Sequence, residues 1–306
     1  MGKNQQCNLC PRGCLVDRES GKVGYCGQNA KLRVARAALH FWEEPCISGT
    51  EGSGTVFFCG CPLRCIFCQN YQIANGKRIG GETVGKEITV DRLAEIFLEL
   101  QKQGANNINL VTGTHFVPQI TEALVFAKKQ GLVIPIVYNT GSYERIETLR
   151  MLEGLVDIYL PDMKYMSQEL SKEYSYAEDY FEIASKAITE MVRQVGEPVF
   201  DEKGYMKKGV IVRHLVLPGS IKDSKAVLEY LWNTYGNSIY ISIMNQYTPM
   251  EQTKNHPKLS RKVTKREYNK VVDFAVNLGW KNGFIQEGKT AQESFIPAFD
   301  SSGIEK

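Results

Sequence analysis

Short apolar runs alternate with longer amphipathic segments from about residue 54 to the C-terminal region of the chain. Each apolar run has the length of a strand, and each amphipathic segment repeats its apolar positions at the spacing of a helix. Runs that are apolar throughout are typical of strands buried on both faces of a parallel sheet. The predicted strands are 55–58, 108–112, 133–138, 156–160, 210–217 and 239–244, with a last strand-like run at 283–286. The predicted helices are 90–103, 117–130, 143–152, 225–235 and 264–278.

This alternation predicts an α/β protein built from βα units. Six or so units fit a partial, open (β/α)6 barrel of the TIM-like kind better than a closed eightfold barrel. A doubly wound open sheet remains an alternative, because the sequence does not fix the order of the strands. In either architecture, ligands bind where the parallel strands end at their carboxyl side. Residues 166–207 interrupt the alternation, and we expect a helix followed by a loop around 197–208.

The first part of the chain has a different character. Residues 1–50 are rich in cysteine, are interrupted by glycine and show little periodicity. Such a segment is too short to hold a large core, so we expect a small extension that a metal or its packing on the rest stabilises. The predicted organisation is a metal-binding extension at 1–50, the barrel at 51–290 and a C-terminal tail at 291–306.

Composition excludes several classes of protein. Lys and Arg number 37 against 34 Asp and Glu, a formal net charge of +3 that is too small to indicate a nucleic-acid binder. The apolar runs are far shorter than the ~20 residues that cross a bilayer. The N-terminal residues lack the apolar core of a signal peptide. We therefore expect a cytoplasmic protein that binds neither nucleic acid nor membrane.

The cysteines are unevenly placed, since all nine lie between Cys7 and Cys68. In a reducing compartment, clustered cysteines bind metals or carry out redox reactions more often than they form disulfides. An odd number also argues against a fully paired disulfide framework. The cysteine pattern therefore predicts metal chemistry in the first quarter of the chain.

Three of these cysteines, Cys61, Cys65 and Cys68, directly follow the first predicted strand. Thiolates at this close spacing can hold an iron–sulfur cluster, and a set of three leaves one iron without a protein ligand. An open iron is what direct binding of a small molecule requires. Two other interpretations are three ligands of a zinc site and three buried cysteines.

The chain resembles the radical S-adenosylmethionine (radical SAM) superfamily, in particular the subgroup similar to pyruvate formate-lyase activating enzymes. The resemblance rests on five segments in this order: GSGTVFFCGCPLRCIFCQNYQI, INLVTGTHFVPQI, IPIVYNTGSYE, VDIYLPDMKY and VIVRHLVLPG. It implies that Cys61, Cys65 and Cys68 ligate a [4Fe–4S] cluster. It also implies that SAM chelates the fourth iron through its amino and carboxylate groups, with Phe67 against the adenine.

The resemblance further implies a reaction. One electron from the reduced cluster would cleave SAM to methionine and a 5′-deoxyadenosyl radical, which abstracts a hydrogen atom. The expected target is a glycine of a partner protein, a glycyl-radical enzyme, and the expected electron donor is a flavodoxin or ferredoxin. Two alternatives are radical modification of a peptide or small molecule, and a non-catalytic protein that binds an iron–sulfur cluster or zinc.

The superfamily binds the SAM amino group with a Gly-Gly-Glu motif at the end of strand two. This chain contains Gly80-Gly81-Glu82, but those residues precede the predicted helix 90–103 and cannot end that strand. We interpret them as a turn. The residues that end strand two, and that we expect in this role, are Thr112, Gly113 and Thr114.

Other candidate SAM-binding residues follow the later strands. Those after strand three are expected to bind the ribose or the methionine carboxylate, and those after strand four resemble the Asp-x-Lys of glycyl-radical activases. A charged pair in strand five needs a partner, either a core salt bridge or the SAM carboxylate or cluster. His115 fits a core histidine as well as a site residue, and Asn245 and Gln246 are weaker candidates. The main candidates are Asn70, Asn139, Thr140, Ser142, Asp162, Lys164, Arg213 and His214.

A second cysteine set has the spacing Cys7-x2-Cys10-x3-Cys14-x11-Cys26. Zinc would take four thiolates as a tetrahedral structural site, and an auxiliary iron–sulfur cluster would use the same thiols. The spacing does not decide between zinc, a cluster and unligated cysteines. Cys46 and Cys59 have no assigned role.

One segment concentrates basic residues. A solvated loop and helix start is the plain interpretation. Docking of an acidic electron donor by electrostatic steering is the sharper hypothesis. The residues concerned are Lys254, Lys258, Arg261, Lys262, Lys265 and Arg266.

Overall fold

A computed structural model describes residues 6–75, 84–286 and 297–305 of the chain. Gly80-Gly81-Glu82 and the predicted boundary between barrel and tail at residue 290 lie outside the described residues. The described strands are β1 (Arg33–His40), β2 (Ser53–Phe58), β3 (Lys86–Glu87), β4 (Ile108–Val111), β5 (Ile136–Thr140), β6 (Ile158–Pro161), β7 (Val199–Phe200), β8 (Met206–Leu215), β9 (Tyr240–Met244) and β10 (Gly283–Ile285). The described helices are α1 (Pro45–Ser48), α2 (Tyr71–Ala74), α3 (Val90–Lys102), α4 (Val117–Lys129), α5 (Ile146–Arg150), α6 (Gln168–Ser175), α7 (Tyr180–Val195), α8 (Ile221–Tyr235) and α9 (Lys265–Leu278).

The strands form one sheet in the order β10-β9-β8-β6-β5-β4-β2-β1-β3, and β7 pairs with β8. From β2 to β10 neighbouring strands on this path run parallel, whereas β1 is antiparallel to both β2 and β3. Among the described strands the two ends of the sheet do not pair, so the sheet is open. The predicted partial barrel is confirmed.

The long helices α3, α4, α7, α8 and α9 lie on one face of the sheet. Alternate strand residues such as Tyr138 and Tyr159 pack with α3, α4, α7, α8 and α9 in one large apolar cluster. The intervening residues, such as Val137 and Ile158, face the opposite side and pack on α1. Successive strand residues point to opposite faces, so a doubly wound sheet would need helices on both. The barrel interpretation is therefore right.

Each of the strands and helices predicted from the apolar runs is present, with ends shifted by a few residues. Residues 166–207 differ from the prediction, because they form two helices, α6 and α7, and the start of a hairpin between β7 and β8. The hydroxyl of Ser167 caps α6, and Tyr176 in the left-handed conformation ends it.

Strand β1 was not predicted, and it places residues 33–40 of the N-terminal extension in the sheet. Its sequence carries two arginines that obscure the apolar pattern. Arg33 pairs with Glu87 at 2.5 Å, and Arg36 pairs with Asp300 at 2.7 Å. The charges thus lie at the strand edge, and their partners are too distant in sequence for a local pattern to reveal.

The C-terminal residues complete the other side of β1. The amide of Ser301 donates to the carbonyl of Ala35 at 3.1 Å, and the amide of Ala37 donates to the carbonyl of Ser302 at 2.9 Å. Ile304 is buried. Residues 301–304 therefore act as a clasp on β1, and we call them the C-terminal clasp.

No described helix combines the length and the apolar character that crossing a membrane demands.

Replacing Gly303 in the clasp with alanine should destabilise the fold by about 2 kcal/mol or more, because a Cβ there collides with the carbonyl oxygen of Ala37 at a backbone φ of +72°. Gly204 is the matched control, with φ of +81° and no heavy atom of the described residues within 4 Å of an added Cβ. Its alanine variant should lose only about 1 kcal/mol. Urea titration measures both free energies of unfolding, and equal losses would contradict the close contact of clasp and β1.

Candidate active site

A cavity of about 230 Å³ opens at the carboxyl ends of the parallel strands. This is the end at which barrel enzymes bind their ligands. The cavity is lined by the carboxyl ends of β2, β4, β5, β6, β8 and β9 or by the loops that follow them. The predicted residues that line it are Cys61, Cys65, Phe67, Cys68, Asn70, Thr112, Thr114, Asn139, Thr140, Asp162, Lys164 and Arg213.

The loop that carries the three cysteines is held from several sides. Gly60 precedes it with φ of +89°, and an added Cβ there would lie 2.7 Å from the carbonyl oxygen of Cys26. Ser175 donates a hydrogen bond of 2.9 Å to the Sγ of Cys65. The amide of Ile66 donates to the carbonyl of Tyr174 at 2.8 Å. The end of α6 therefore holds this loop and fixes the direction of the Cys65 thiol.

The thiols fit an iron–sulfur cluster with one open iron. Cys61, Cys65 and Cys68 all line the cavity, and in the described residues no three His, Cys, Asp or Glu side chains converge closely enough to hold a single metal ion. Ligands of a cluster bind separate irons and do not need to converge on one point. Burial raises the pKa of all three thiols, while the nearby Lys164 ammonium opposes that rise.

Phe67 lines the cavity, but most of its ring is buried. Tyr165, Tyr174 and Tyr247 meet it edge-on, with ring centroids 6.2, 6.3 and 6.5 Å away. The ring is thus rigidly held, and only part of it faces the cavity.

A charged network lines the same cavity and includes Lys164, which neighbours the cysteines. Arg213 donates to Glu43 and Asp162 at 3.1 Å each and to Asn139 at 2.5 Å. Lys164 donates to the other oxygen of Asp162 at 2.6 Å. Burial raises the pKa of Asp162, but the cations of Lys164 and Arg213 outweigh that effect and hold it below its ordinary value. The core salt bridge that we considered for Arg213 is therefore present.

Glu43 was missed by the sequence analysis. It lies in the loop after β1, accepts hydrogen bonds from Asn109 at 2.9 Å and from Asn139 at 3.3 Å, and lines the cavity. The pair Glu43-Glu44 within an apolar stretch was the available signal. Burial raises the pKa of Glu44, and Arg213 opposes the rise.

The end of β4 is unusual. Thr112 has φ of +59°, a conformation that is costly for a β-branched residue and that clusters at functional sites. Its amide donates to the carbonyl of Asn139 at 2.9 Å. An added Cβ on Gly113 would lie 2.5 Å from Ile120, so this glycine is needed for packing against α4.

A second missed residue is Glu144. Its Oε1 atom accepts hydrogen bonds from Thr114 at 2.7 Å, from Thr140 at 2.5 Å and from Tyr138 at 3.3 Å. The side chain is buried, and Oε2 has no hydrogen-bond partner within the part of the chain that the structure describes. Burial raises the pKa of Glu144 to about 7, and the three hydroxyls oppose the rise.

Several predicted residues lie away from the cavity. His214 follows Arg213 in β8 and faces the helices, where its Nδ1 lies 2.7 Å from the carbonyl oxygen of Met163. His115 is a core histidine, with Nε2 2.7 Å from the carbonyl oxygen of Cys59. Ser142 is buried behind Thr140, to whose hydroxyl its amide donates at 3.2 Å. Of the two weaker candidates, Gln246 lines the cavity.

The N-terminal cysteines lie near one another, although among the described residues no three of them converge closely enough to hold a single metal ion. Burial raises the pKa of Cys10 to about 12, with further contributions from Cys26 and Cys14. Burial also raises the pKa of Cys26, with contributions from Cys7 and Cys14. The four thiols that the spacing singles out are therefore electrostatic neighbours.

This group packs directly on the cysteine loop of the cavity. Arg12 donates to the carbonyl of Pro62 at 2.7 Å and to that of Ser175 at 2.9 Å. Arg18 donates to the carbonyl of His115 at 2.5 Å. The N-terminal cysteine group and the cavity therefore share a wall.

Residues 55–231, more than half of the chain, match the Radical SAM superfamily. The chain belongs to this superfamily, whose members are enzymes that use a [4Fe–4S] cluster and SAM. The matched region begins in β2 and includes the three cysteines as well as Asp162 and Lys164.

A protein of Methanocaldococcus jannaschii, the uncharacterized protein MJ0674, is 28% identical over 277 residues, which cover 89% of this chain and 74% of that protein. The fold is similar to that of Streptococcus suis SuiB bound to S-adenosylmethionine, with a TM-score of 0.50 and 13% identity over 75% of this chain and 49% of that chain. It is also similar to the FeFe-hydrogenase maturase HydG from Carboxydothermus hydrogenoformans, with a TM-score of 0.52 and 12% identity over 77% of this chain and 54% of that chain. This chain thus spans about half the length of those solved chains.

The pKa of Glu144 predicts a pH dependence of stability. A carboxyl whose pKa is higher in the folded than in the unfolded chain stabilises the fold while it is protonated, and this contribution is lost as the pH rises toward the folded pKa. From about pH 5 to about pH 8, the free energy of unfolding of the wild type should fall by about 2–3 kcal/mol relative to Glu144→Gln. Chemical unfolding at each pH gives these values. Glu122→Gln, on the exposed side of α4, is the control, and a parallel pH dependence of wild type and Glu144→Gln would contradict the assignment.

Proposed function

We propose that this protein cleaves SAM reductively at a [4Fe–4S] cluster and abstracts hydrogen from a glycine of a partner protein. The observation that supports it most is the meeting of Cys61, Cys65 and Cys68 with the Asp162–Lys164 pair in one cavity. The bound cluster and SAM supply the electron transfer and the radical. The thiol-rich chemistry suits a reducing compartment such as the cytoplasm.

The chain's own residues would bind the cluster and SAM, orient them and shield them from solvent. Lys164 brings a positive charge that neighbours the thiols, which favours their ionised form. Asp162 holds this ammonium, and Arg213 holds Asp162. Phe67 and Asn70 would flank the nucleoside from the cysteine side, and Thr112, Thr114, Asn139 and Thr140 would contact it from the ends of β4 and β5.

The rim of the cavity favours a protein substrate. His40 and Trp42 line it, and Trp42 is 60% exposed beside Phe41, which is 49% exposed. Exposed aromatic side chains of this kind are enriched where proteins contact one another. A segment of a partner protein could therefore rest on this rim and reach the cavity.

Replacing Cys61, Cys65 and Cys68 together with alanine should abolish the formation of 5′-deoxyadenosine from SAM under reducing conditions. It should also remove about four irons per chain, because the cluster loses its ligands. Cys46→Ala and Cys59→Ala are matched controls, since both cysteines are buried outside the cavity. Continued cleavage of SAM by the triple variant would refute the cluster assignment.

The same assays separate the candidate substrates. A glycyl-radical doublet in electron paramagnetic resonance on adding a partner protein would support the glycine target. A modified peptide or small molecule without a protein radical would instead support radical modification of that substrate. If no 5′-deoxyadenosine forms, the remaining candidate is a non-catalytic binding protein.

We also propose that Cys7, Cys10, Cys14 and Cys26 hold a second metal centre. Their electrostatic coupling and their position against the cysteine loop support this. The metal that remains in the Cys61, Cys65 and Cys68 triple variant identifies this second centre. Zinc would indicate a structural site, and iron with sulfide would indicate a second iron–sulfur cluster.

The basic segment is the proposed docking site for an acidic electron donor, a flavodoxin or ferredoxin. The ring of His256 lies 5.4 Å from that of Tyr174, whose carbonyl accepts the amide hydrogen of Ile66 in the cysteine loop. The segment therefore adjoins the loop that would carry the cluster. It is less basic than its sequence suggests, since Arg261 pairs with Glu267 at 2.7 Å and Lys254 pairs with Glu251 at 3.6 Å.

Reversing the charge of the exposed Lys258 should slow 5′-deoxyadenosine formation about threefold to tenfold at low salt when an acidic protein is the donor. The rate with a small reductant such as dithionite should not change, because no docking is needed. Lys129→Glu on α4 is the matched control. Equal slowing with both reductants would rule out docking at this segment.

A further inference from the structure

The carboxylate of Glu144 lies directly behind the cavity wall. Thr114 and Thr140, which line the cavity, both donate to its Oε1 atom, at 2.7 and 2.5 Å. The carboxylate is nearly inaccessible to solvent, with only 2% of Glu144 exposed. Burying an acid is costly, and an apolar side chain would fill this volume without that cost. Its presence therefore points to a role for its hydrogen bonds.

These bonds determine what the two threonines can offer to a ligand. A hydroxyl has one proton to donate and two lone pairs to accept with. Because each threonine commits its proton to Glu144, neither hydroxyl can donate into the cavity. Thr140 uses one lone pair for the amide of Ser142 at 3.2 Å, which leaves one lone pair free. The wall is therefore able only to accept hydrogen bonds at these two positions.

The arrangement holds in either protonation state of Glu144. Among the described residues Oε2 is buried without a partner, so a proton on the carboxyl resides there. Oε1 keeps its two lone pairs for the two threonine hydroxyls with or without that proton. The orientation of the threonine protons is thus independent of pH.

We propose that Glu144 is a positioning residue that fixes Thr114 and Thr140 as acceptors, so that this wall binds N–H or O–H groups of the ligand and rejects carboxylates. This rests on the proposed function, in which the ligand is SAM. SAM carries two kinds of hydrogen-bond donor that match such acceptors, its amino group and its ribose hydroxyls. Of the two partners expected for Thr140, the ribose and the methionine carboxylate, only the ribose is compatible with its hydroxyl.

Binding of SAM to the cluster-loaded protein tests the inference. Glu144→Leu frees both hydroxyl protons and should weaken SAM binding about tenfold, the loss of one to two hydrogen bonds. Glu144→Gln should stay within about threefold of the wild type, because its amide oxygen replaces Oε1 as the acceptor. Thr114→Val and Thr140→Val remove the hydroxyls themselves while the Glu144 side chain stays in place. They should reproduce the loss, which covers the case that Glu144→Leu does not fold.

Two SAM analogues separate this role from a structural one. One lacks the α-amino group and the other lacks both ribose hydroxyls. Suppose that the threonines accept a hydrogen bond from one of these two groups. The analogue that lacks this group should then bind the wild type, Glu144→Leu and the valine variants equally well. The other analogue should bind the variants more weakly than the wild type. The analogue that becomes insensitive identifies the donor.

Equal weakening of SAM and both analogues by all the variants would overturn the inference and leave Glu144 structural. Weak binding by Glu144→Gln, as poor as that by Glu144→Leu, would also overturn it. If the wild type binds and cleaves SAM but the variants do not distinguish between SAM and the two analogues, only this inference fails. If the wild type does not bind SAM, the proposed function fails with it.

Discussion

The site depends on the placement of buried charges inside an otherwise apolar barrel. Arg213 on β8 is flanked by Asp162 and Glu43, and Asp162 in turn holds Lys164. An unpaired charge at this depth would cost several kcal/mol, so each group keeps the others in place. The network joins β6, β8 and the loop after β1, and it holds the Lys164 ammonium near the thiols. Three separate parts of the chain must therefore be folded before that cation is in position.

The N-terminal cysteine group and the cavity form one unit. Arg12 donates to the carbonyl of Pro62 in the cysteine loop and to that of Ser175 at the end of α6. Gly60 leaves room for the carbonyl of Cys26. Arg145 donates to the carbonyl of Cys10 at 3.1 Å and directly follows Glu144. The segment behind the threonine wall thus also supports the cysteine group, which links both proposed cofactor sites through backbone contacts.

Sequence patterns revealed most of the barrel because its strands are apolar throughout and their partners are strands of the same kind. The three cavity cysteines were equally clear, since their spacing is local. Strand β1, Glu43 and Glu144 were missed because each is explained by partners far away in sequence or by burial that no local pattern encodes. His214 is the opposite case, a residue that the sequence placed in the site because it lies next to Arg213. Adjacent strand residues face opposite sides, so only one of the two could reach the cavity.

The C-terminal clasp has a consequence for the integrity of the chain. Strand β1 is bonded on one side to β2 and on the other to β3 and the clasp. A chain that lost its last few residues would keep β1 but leave part of its edge without hydrogen-bond partners. Exposed strand edges recruit strands from other molecules. Residues 301–304 therefore cover a strand edge that could otherwise pair with other molecules, as well as completing the fold.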